Sequence, residues 1–206
     1  MENLGILIPC KALTRGKSRL ASVLSDESRH QLCRSFLLRS LELARSIIIP
    51  DHIGIVSDDP EVLSIGQSCG ALSVLDTGNG LNKALEDGRL DLLKARPCVK
   101  RLLVMPIDLP LCTSSAVKAF AKNSEDVALA ADRSGVGTNM ICLSPKALNK
   151  FSFRYGNNSL ASHRQEAADQ RLSISIVDEF YLGFDIDEPD HYKRWIEGAA
   201  NGELAA

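Results

Sequence analysis

Seven short apolar runs, separated by stretches of helical period, constrain this chain more than any other feature. Residues 4–9, 53–56, 71–75, 101–105, 127–131, 138–143 and 173–177 read as strands. Between them, helices are expected over 26–46, 61–69, 81–94, 114–122, 159–168 and 189–197. The first of these is the clearest. Leu32, Phe36, Leu37, Leu41 and Ala44 recur at steps that fall on one helix face, Ser25 is suited to the N-cap, Asp26 and Glu27 favour the first turn, and Pro50 lies beyond the end. Alternation of this kind predicts an α/β fold with a mostly parallel sheet, helices on both faces, and ligands gathered at the carboxyl ends of the strands.

A chain of 206 residues that is 45% hydrophobic can bury a substantial core, and no repeat or long linker divides it, so one domain over 1–206 is expected, with a flexible small-residue tail over 199–206. A net charge of −2 argues against a nucleic-acid surface, which needs a broad basic stripe. Glu2 stands where a signal peptide wants positive charge, and no run reaches the length of a membrane span. The expected location is therefore the cytoplasm, without a membrane partner. The six cysteines, at 10, 33, 69, 98, 112 and 142, form no Cys-x-x-Cys pair and read as reduced thiols, Cys10 beside the first basic loop being the one of interest. A homodimer is compatible with the sequence, which says nothing further about assembly.

Charge is distributed unevenly along the predicted strand ends. Asp108 in Met-Pro-Ile-Asp-Leu-Pro-Leu, and Asp185 and Asp187 in Gly-Phe-Asp-Ile-Asp-Glu-Pro, each follow apolar stretches read as strands; side by side, those ends would deliver three carboxylates to one place. Hard divalent cations such as Mg²⁺ prefer oxygen ligands of this kind. Spaced two apart in extended backbone, Asp185 and Asp187 point to one face, although Asp187 or Glu188 also suits the cap of a helix opened by Pro189. The complement is the first connection, where Lys11, Arg15, Lys17 and Arg19 occur with no acid among them. Acids for a metal and cations for an anion form the charge plan of phosphoryl or nucleotidyl transfer.

The remaining motifs each have a plainer reading. Gly16-Lys17-Ser18 matches the end of a Walker loop but lacks the earlier glycine, so the basic loop is either solvated surface or, from its place after the first strand, a phosphate site. Gly78-Asn79-Gly80-Leu81-Asn82 is a strand-to-helix turn, or a place where backbone and the Asn82 amide meet a nucleotide base. Gly135-Val136-Gly137-Thr138-Asn139 is a hairpin turn, or a close approach to ligand. A helix beginning near Asn158 puts Ser159 and His163 on one face, next to free backbone N–H groups that suit a phosphate or carboxylate, or else Asn158 and Ser159 merely cap it. His30, His52 and His191 have no supporting neighbours.

Taken in order, Lys11 with Lys17-Ser18-Arg19-Leu20, Gly80-Leu81-Asn82, Asp108-Leu109-Pro110-Leu111, Gly137-Thr138-Asn139, Tyr155-Gly156 through Ser159 to His163, and Asp185-Ile186-Asp187-Glu188-Pro189 resemble the 2-phospho-L-lactate guanylyltransferase family of deazaflavin coenzyme biosynthesis, which includes phosphoenolpyruvate guanylyltransferases. The resemblance implies a nucleotidyltransferase of the glycosyltransferase A-like, Rossmann-like fold that moves GMP from GTP to a three-carbon phospho-acid. Residue by residue, it makes Asp108, Asp185 and Asp187 the Mg²⁺ acids and gives Lys11 and Lys17 to the nucleotide phosphates. Thr138, Gly156 and Ser159 go to the acid, with His163 beside them; Arg19, Gly80 and Asn82 complete the expected nucleotide side. Lys11, Lys17 and Asp108 are the residues expected to act in the transfer. Cys10, Leu160 and Asp190-His191-Tyr192 depart from the family pattern without removing a ligand. A nucleotidyltransferase for molybdopterin or a sugar phosphate, or a nucleotide-binding module without turnover, are the rival readings.

Overall fold

The computed structural model describes residues 2–200 and contains one seven-stranded sheet. Its strands are β1 (Leu4–Pro9), β2 (Ile53–Ser57), β3 (Leu72–Leu75), β4 (Arg101–Val104), β5 (Val127–Ala131), β6 (Thr138–Leu143) and β7 (Ile174–Val177), in the order β3-β2-β1-β4-β6-β5-β7. All run parallel except β6, which is antiparallel to both β4 and β5. The helices are α1 (Asp26–Arg45), α2 (Pro60–Ser68), α3 (Leu81–Ala95), α4 (Ser114–Ala121), α5 (Ser159–Asp169), α6 (Phe180–Gly183) and α7 (Pro189–Ala200). Of the tail expected over 199–206, residues 199 and 200 end α7, and 201–206 lie outside the described residues.

Both faces of the sheet are covered, as the alternation requires. Ile6 and Ile8 of β1, with Ile55 and Leu103, pack against Leu37 and Leu41 of α1, Val62 of α2 and Val117 of α4. Leu7, pointing the other way, joins Val56, Leu102 and Val104 beneath Leu85 and Leu92 of α3 and Ala167 of α5. Each such side chain, withdrawn from water, contributes about 1.5 to 3 kcal/mol. Ser25 caps α1, its hydroxyl accepting from the Ser28 N–H at 3.2 Å. Among the described residues no helix is long and apolar enough to cross a membrane.

A third, smaller core draws remote loops together at the carboxyl edge. Leu20, Phe36, Leu111, Phe184 and Ile186 are all nearly or fully buried there, and Trp195 of α7 sets its ring edge-on to Phe36 at 5.6 Å. Leu20 follows the basic loop, Leu111 follows Asp108, and Phe184 and Ile186 flank Asp185. Packing of five apolar side chains thus brings three charged segments to one place.

Candidate active site

Asp108 lies four residues beyond β4, and its carbonyl accepts the Ile186 N–H at 3.2 Å, which fastens the two acid-bearing segments to each other. Phe184 and Ile186 are buried and Asp185 and Asp187 are not, so the predicted alternation holds. The segment is not the end of a strand, however. It follows the single turn of α6, whose Leu182 N–H is capped by the Glu179 carboxylate at 3.0 Å. Four residues are too few for a helical period to show in sequence.

Between the acids stands a lysine. Lys17 donates to Asp108 Oδ2 at 2.5 Å and to Asp187 Oδ1 at 2.8 Å, with only 7% of its side chain exposed. Burial alone would pull this ammonium down, but the two carboxylates hold it above the ordinary lysine range. Asp185 is pushed up to about 6, first by burial and then by the charges of Asp108 and Asp187. The sequence reading gives Lys17 to nucleotide phosphates; here it neutralises the acids.

The backbone at Lys17 is left-handed, with φ 51°. A β-carbon on the preceding Gly16 would meet Cys33 Sγ at 2.5 Å, so α1 abuts the loop and forces the turn. Arg29 of α1 reinforces it by donating to the Gly16 carbonyl at 3.3 Å. Most of the expected cationic loop is likewise neutralised: Arg15 pairs with Asp58, and Arg19 with Glu188 at 3.0 Å. Lys11 is exposed and has no salt bridge among the described residues.

The acceptor half departs further from expectation. Gly135-Val136-Gly137 forms the β5–β6 hairpin, the plainer of its two readings. Ser159 is 3% exposed and its hydroxyl oxygen accepts the Thr138 N–H at 2.9 Å; His163 is fully buried, its Nε2 accepting the Arg154 N–H at 2.9 Å. His163 Nδ1 must then carry the proton and donate to Thr138 Oγ1 at 3.0 Å. Burial, and to a lesser extent the Arg154 charge, lowers this imidazole to about 4. The side chains of Ser159 and His163, expected to meet the acid, are therefore engaged in positioning β6 and the segment before α5. What faces outward is exposed Gly156, at φ 144°, followed by exposed Asn157 and left-handed Asn158; Ser159 and Leu160, which open α5, are buried, and the Leu160 N–H donates to the Val136 carbonyl at 3.0 Å.

Asn82 is also diverted. Its amide donates to the Tyr155 carbonyl at 2.9 Å and accepts the Tyr155 N–H at 2.7 Å, so both ends of the amide are engaged by protein backbone. It grips one end of a strap, residues 151–155, held by two helices in turn. Arg89 and Glu86 of α3 bind the Phe151 carbonyl and Phe153 N–H, while Glu166 and His163 of α5 take the Ser152 and Arg154 N–H groups. Gly80, at φ 87°, opens α3 ahead of Asn82 and is exposed. Asn82→Ala strands two backbone groups of Tyr155, and a loss of about 1 to 3 kcal/mol in urea unfolding is expected. A change below about 0.5 kcal/mol would mean that the strap does not depend on this amide.

Residues 4–199 match the family described as Guanylyl transferase CofC like. This chain belongs to that family. It is 36% identical over 188 residues to the phosphoenolpyruvate guanylyltransferase of Sphaerobacter thermophilus, covering 89% of this chain and 87% of that one. It is 32% identical over 186 residues to the 2-phospho-L-lactate guanylyltransferase of Methanocaldococcus infernus, covering 89% and 80%. Among solved structures, a cytidylyltransferase from Leptospira borgpetersenii superposes with a TM-score of 0.62 at 13% identity, over 98% of this chain and 88% of that one. The fold is that of the nucleotidyltransferases and nucleotide-diphospho-sugar transferases, and the chain is a nucleotidyltransferase.

The acids can be judged as donors for Mg²⁺, the cation expected from the sequence. Among the described residues no three His, Cys, Asp or Glu side chains converge as a ready-made metal cage. Mg²⁺ does not demand one, since it usually takes one or two protein carboxylates and fills its octahedron with water and substrate phosphates. Asp108 and Asp187 already share one positive charge, that of Lys17, and Asp185 is electrostatically coupled to both, so the donor set fits. Cys10, in contrast, is buried, donates to the Lys11 carbonyl at 3.3 Å, and is pushed up to about 12 by burial and by Cys33, Asp59 and Asp108, which makes it inert. Sequence reasoning missed Asp59, whose Oδ2 accepts the Leu13 N–H at 3.0 Å and ties the basic loop to the start of α2. The signal was present: an acid directly before Pro60 is a helix cap, and its Oδ1 accepts the Glu61 N–H at 2.9 Å.

Proposed function

We propose that this transferase moves GMP from GTP to the phosphate of a small three-carbon phospho-acid and releases pyrophosphate, within deazaflavin coenzyme biosynthesis. The observation that carries the reading is the meeting of Asp108, Asp187 and Lys17 at the carboxyl ends of β1 and β4, in a chain of the CofC-like family. An acceptor phosphate oxygen attacks the α-phosphorus of GTP, one P–O bond forms, and the bond to the β-phosphate breaks. The acceptor phosphate is already ionised at neutral pH, so a general base has little to do. Catalysis rests on holding two anions together and on neutralising the charge that develops. Asp108, Asp185 and Asp187 would hold Mg²⁺, which when bound supplies Lewis-acid neutralisation of phosphate oxygens. Lys11, exposed two residues beyond the end of β1, meets the triphosphate. The exposed turn over 156–158, directly before α5, offers backbone N–H groups to the acid.

The direct test is pyrophosphate release with GTP and Mg²⁺ against 2-phospho-L-lactate, phosphoenolpyruvate and 3-phospho-D-glycerate, with mass analysis of the product. Release with at least one of the three is expected. Release only with molybdopterin or a sugar phosphate would transfer the chain to the rival acceptor class. Lys11→Met is expected to weaken GTP binding roughly 10-fold or more, and the wild-type affinity should fall as salt is raised. Equal GTP affinities for the two proteins at low and high salt would remove Lys11 from the site.

A further inference from the structure

Besides Lys11, a second cation at the carboxyl edge is not neutralised among the described residues. Arg133 lies in the turn between β5 and β6, is exposed, and forms no salt bridge among the described residues, whereas Arg15, Lys17, Arg19 and Arg154 each face an acid. The acid next to it in sequence is already committed. Asp132 accepts from the Ser134 hydroxyl at 2.8 Å and the Val136 N–H at 3.0 Å, closing the turn. Arg133 instead sets its guanidinium 5.0 Å from the ring centroid of Phe184, the buried residue that directly precedes Asp185. An aromatic face holds a guanidinium by its plane and leaves the N–H donors on its edge available.

The sheet order gives this cation its place. With β4 and Asp108 at the centre, the basic loop belongs to the β1 side, and the turn carrying Arg133 belongs to the β6-β5-β7 side. A triphosphate on the β1 side meets the acceptor's phosphate near Asp108, which leaves the acceptor's other anionic group on the β5 side. A guanidinium fork matches a carboxylate in shape and charge. We propose that Arg133 binds the carboxylate of the acceptor acid and so makes the enzyme selective for phospho-acids over other phosphate monoesters, an inference that rests on the transfer reaction proposed above.

The test compares wild type, Arg133→Met and Arg133→Lys, using the phospho-acid that wild type turns over and its carboxyl methyl ester. Because Arg133 is exposed, both variants should fold, which circular dichroism checks. Wild type is expected to lose about 10- to 150-fold in kcat/KM when the carboxylate is esterified. Arg133→Met should lose a similar factor with the intact acid, keep the KM for GTP within about twofold, and no longer distinguish acid from ester. Arg133→Lys, with the charge but without the fork, should fall between them. If Arg133→Met keeps the wild-type kcat/KM, or still prefers acid to ester by the wild-type factor, the assignment is overturned. If wild type transfers GMP to no phospho-acid, the transfer reaction itself fails, and this assignment with it.

Discussion

Asp108→Asn is expected to lower kcat by about 10² to 10⁴, which corresponds to about 3 to 5 kcal/mol of transition-state stabilisation. The substitution keeps the shape of the side chain and its ability to accept from Lys17. Asp187 continues to pair the ammonium, so the unfolding midpoint should move little. What is lost is one of the negative charges that, in the proposed reaction, would hold Mg²⁺ where the α-phosphorus passes from one oxygen to another. The measurement is turnover at saturating GTP, phospho-acid and Mg²⁺, with urea unfolding as the control for the fold. Activity within about threefold of wild type, under ~0.7 kcal/mol, would remove Asp108 from the reacting centre.

A pH titration of stability should expose His163. Its imidazole, near 6.5 in an unfolded chain, is lowered to about 4 in the fold by burial and by Arg154. Above pH 6.5 neither state is protonated and the residue adds no pH dependence. Between 6.5 and 4 the unfolded chain binds a proton that the fold refuses, so stability falls as pH falls, by about 1.4 kcal/mol per unit and about 3 kcal/mol altogether. The hydrogen bonding acts in the same sense: Nε2 accepts the Arg154 N–H, and protonating it would set two donors against each other. His163→Gln removes the titration while leaving a side chain able to accept. The difference between wild-type and variant unfolding energies should therefore change across this window and level off outside it. Identical pH profiles for the two proteins would mean that His163 is not buried in its neutral form.

Strands and longer helices were readable because their signals are local. In α1, Ser25, the acids of the first turn and five apolar residues on one face lie within twenty or so positions of one another. The site was readable only by kind of charge. Asp108 and the Asp185–Asp187 pair could be named as acids that meet, and they do approach one another. That Lys17 would lie between them follows from a left-handed turn braced by Cys33 and Arg29 on a different element, and nothing near Lys17 in sequence announces it. Asn82 misled for a related reason. A side-chain amide beside a glycine turn resembles a base reader, but its partner, Tyr155, is 73 residues away. Ser159 and His163 were placed on one helix face correctly, yet helical period cannot say whether that face meets ligand or protein. Here it meets Thr138.

The strap over 151–155 has a consequence for the turn that follows it. Odd-numbered residues are held by α3, through Asn82, Glu86 and Arg89, and even-numbered ones by α5, through His163 and Glu166, so donors and acceptors alternate from one helix to the other. Sliding by one residue would break every one of these bonds at once. Gly156, Asn157 and Asn158 therefore span a fixed gap between an immovable strap and the start of α5. A ligand that settles on so short a tether finds it already ordered, and forfeits little of its binding energy to the entropy of arranging a loop.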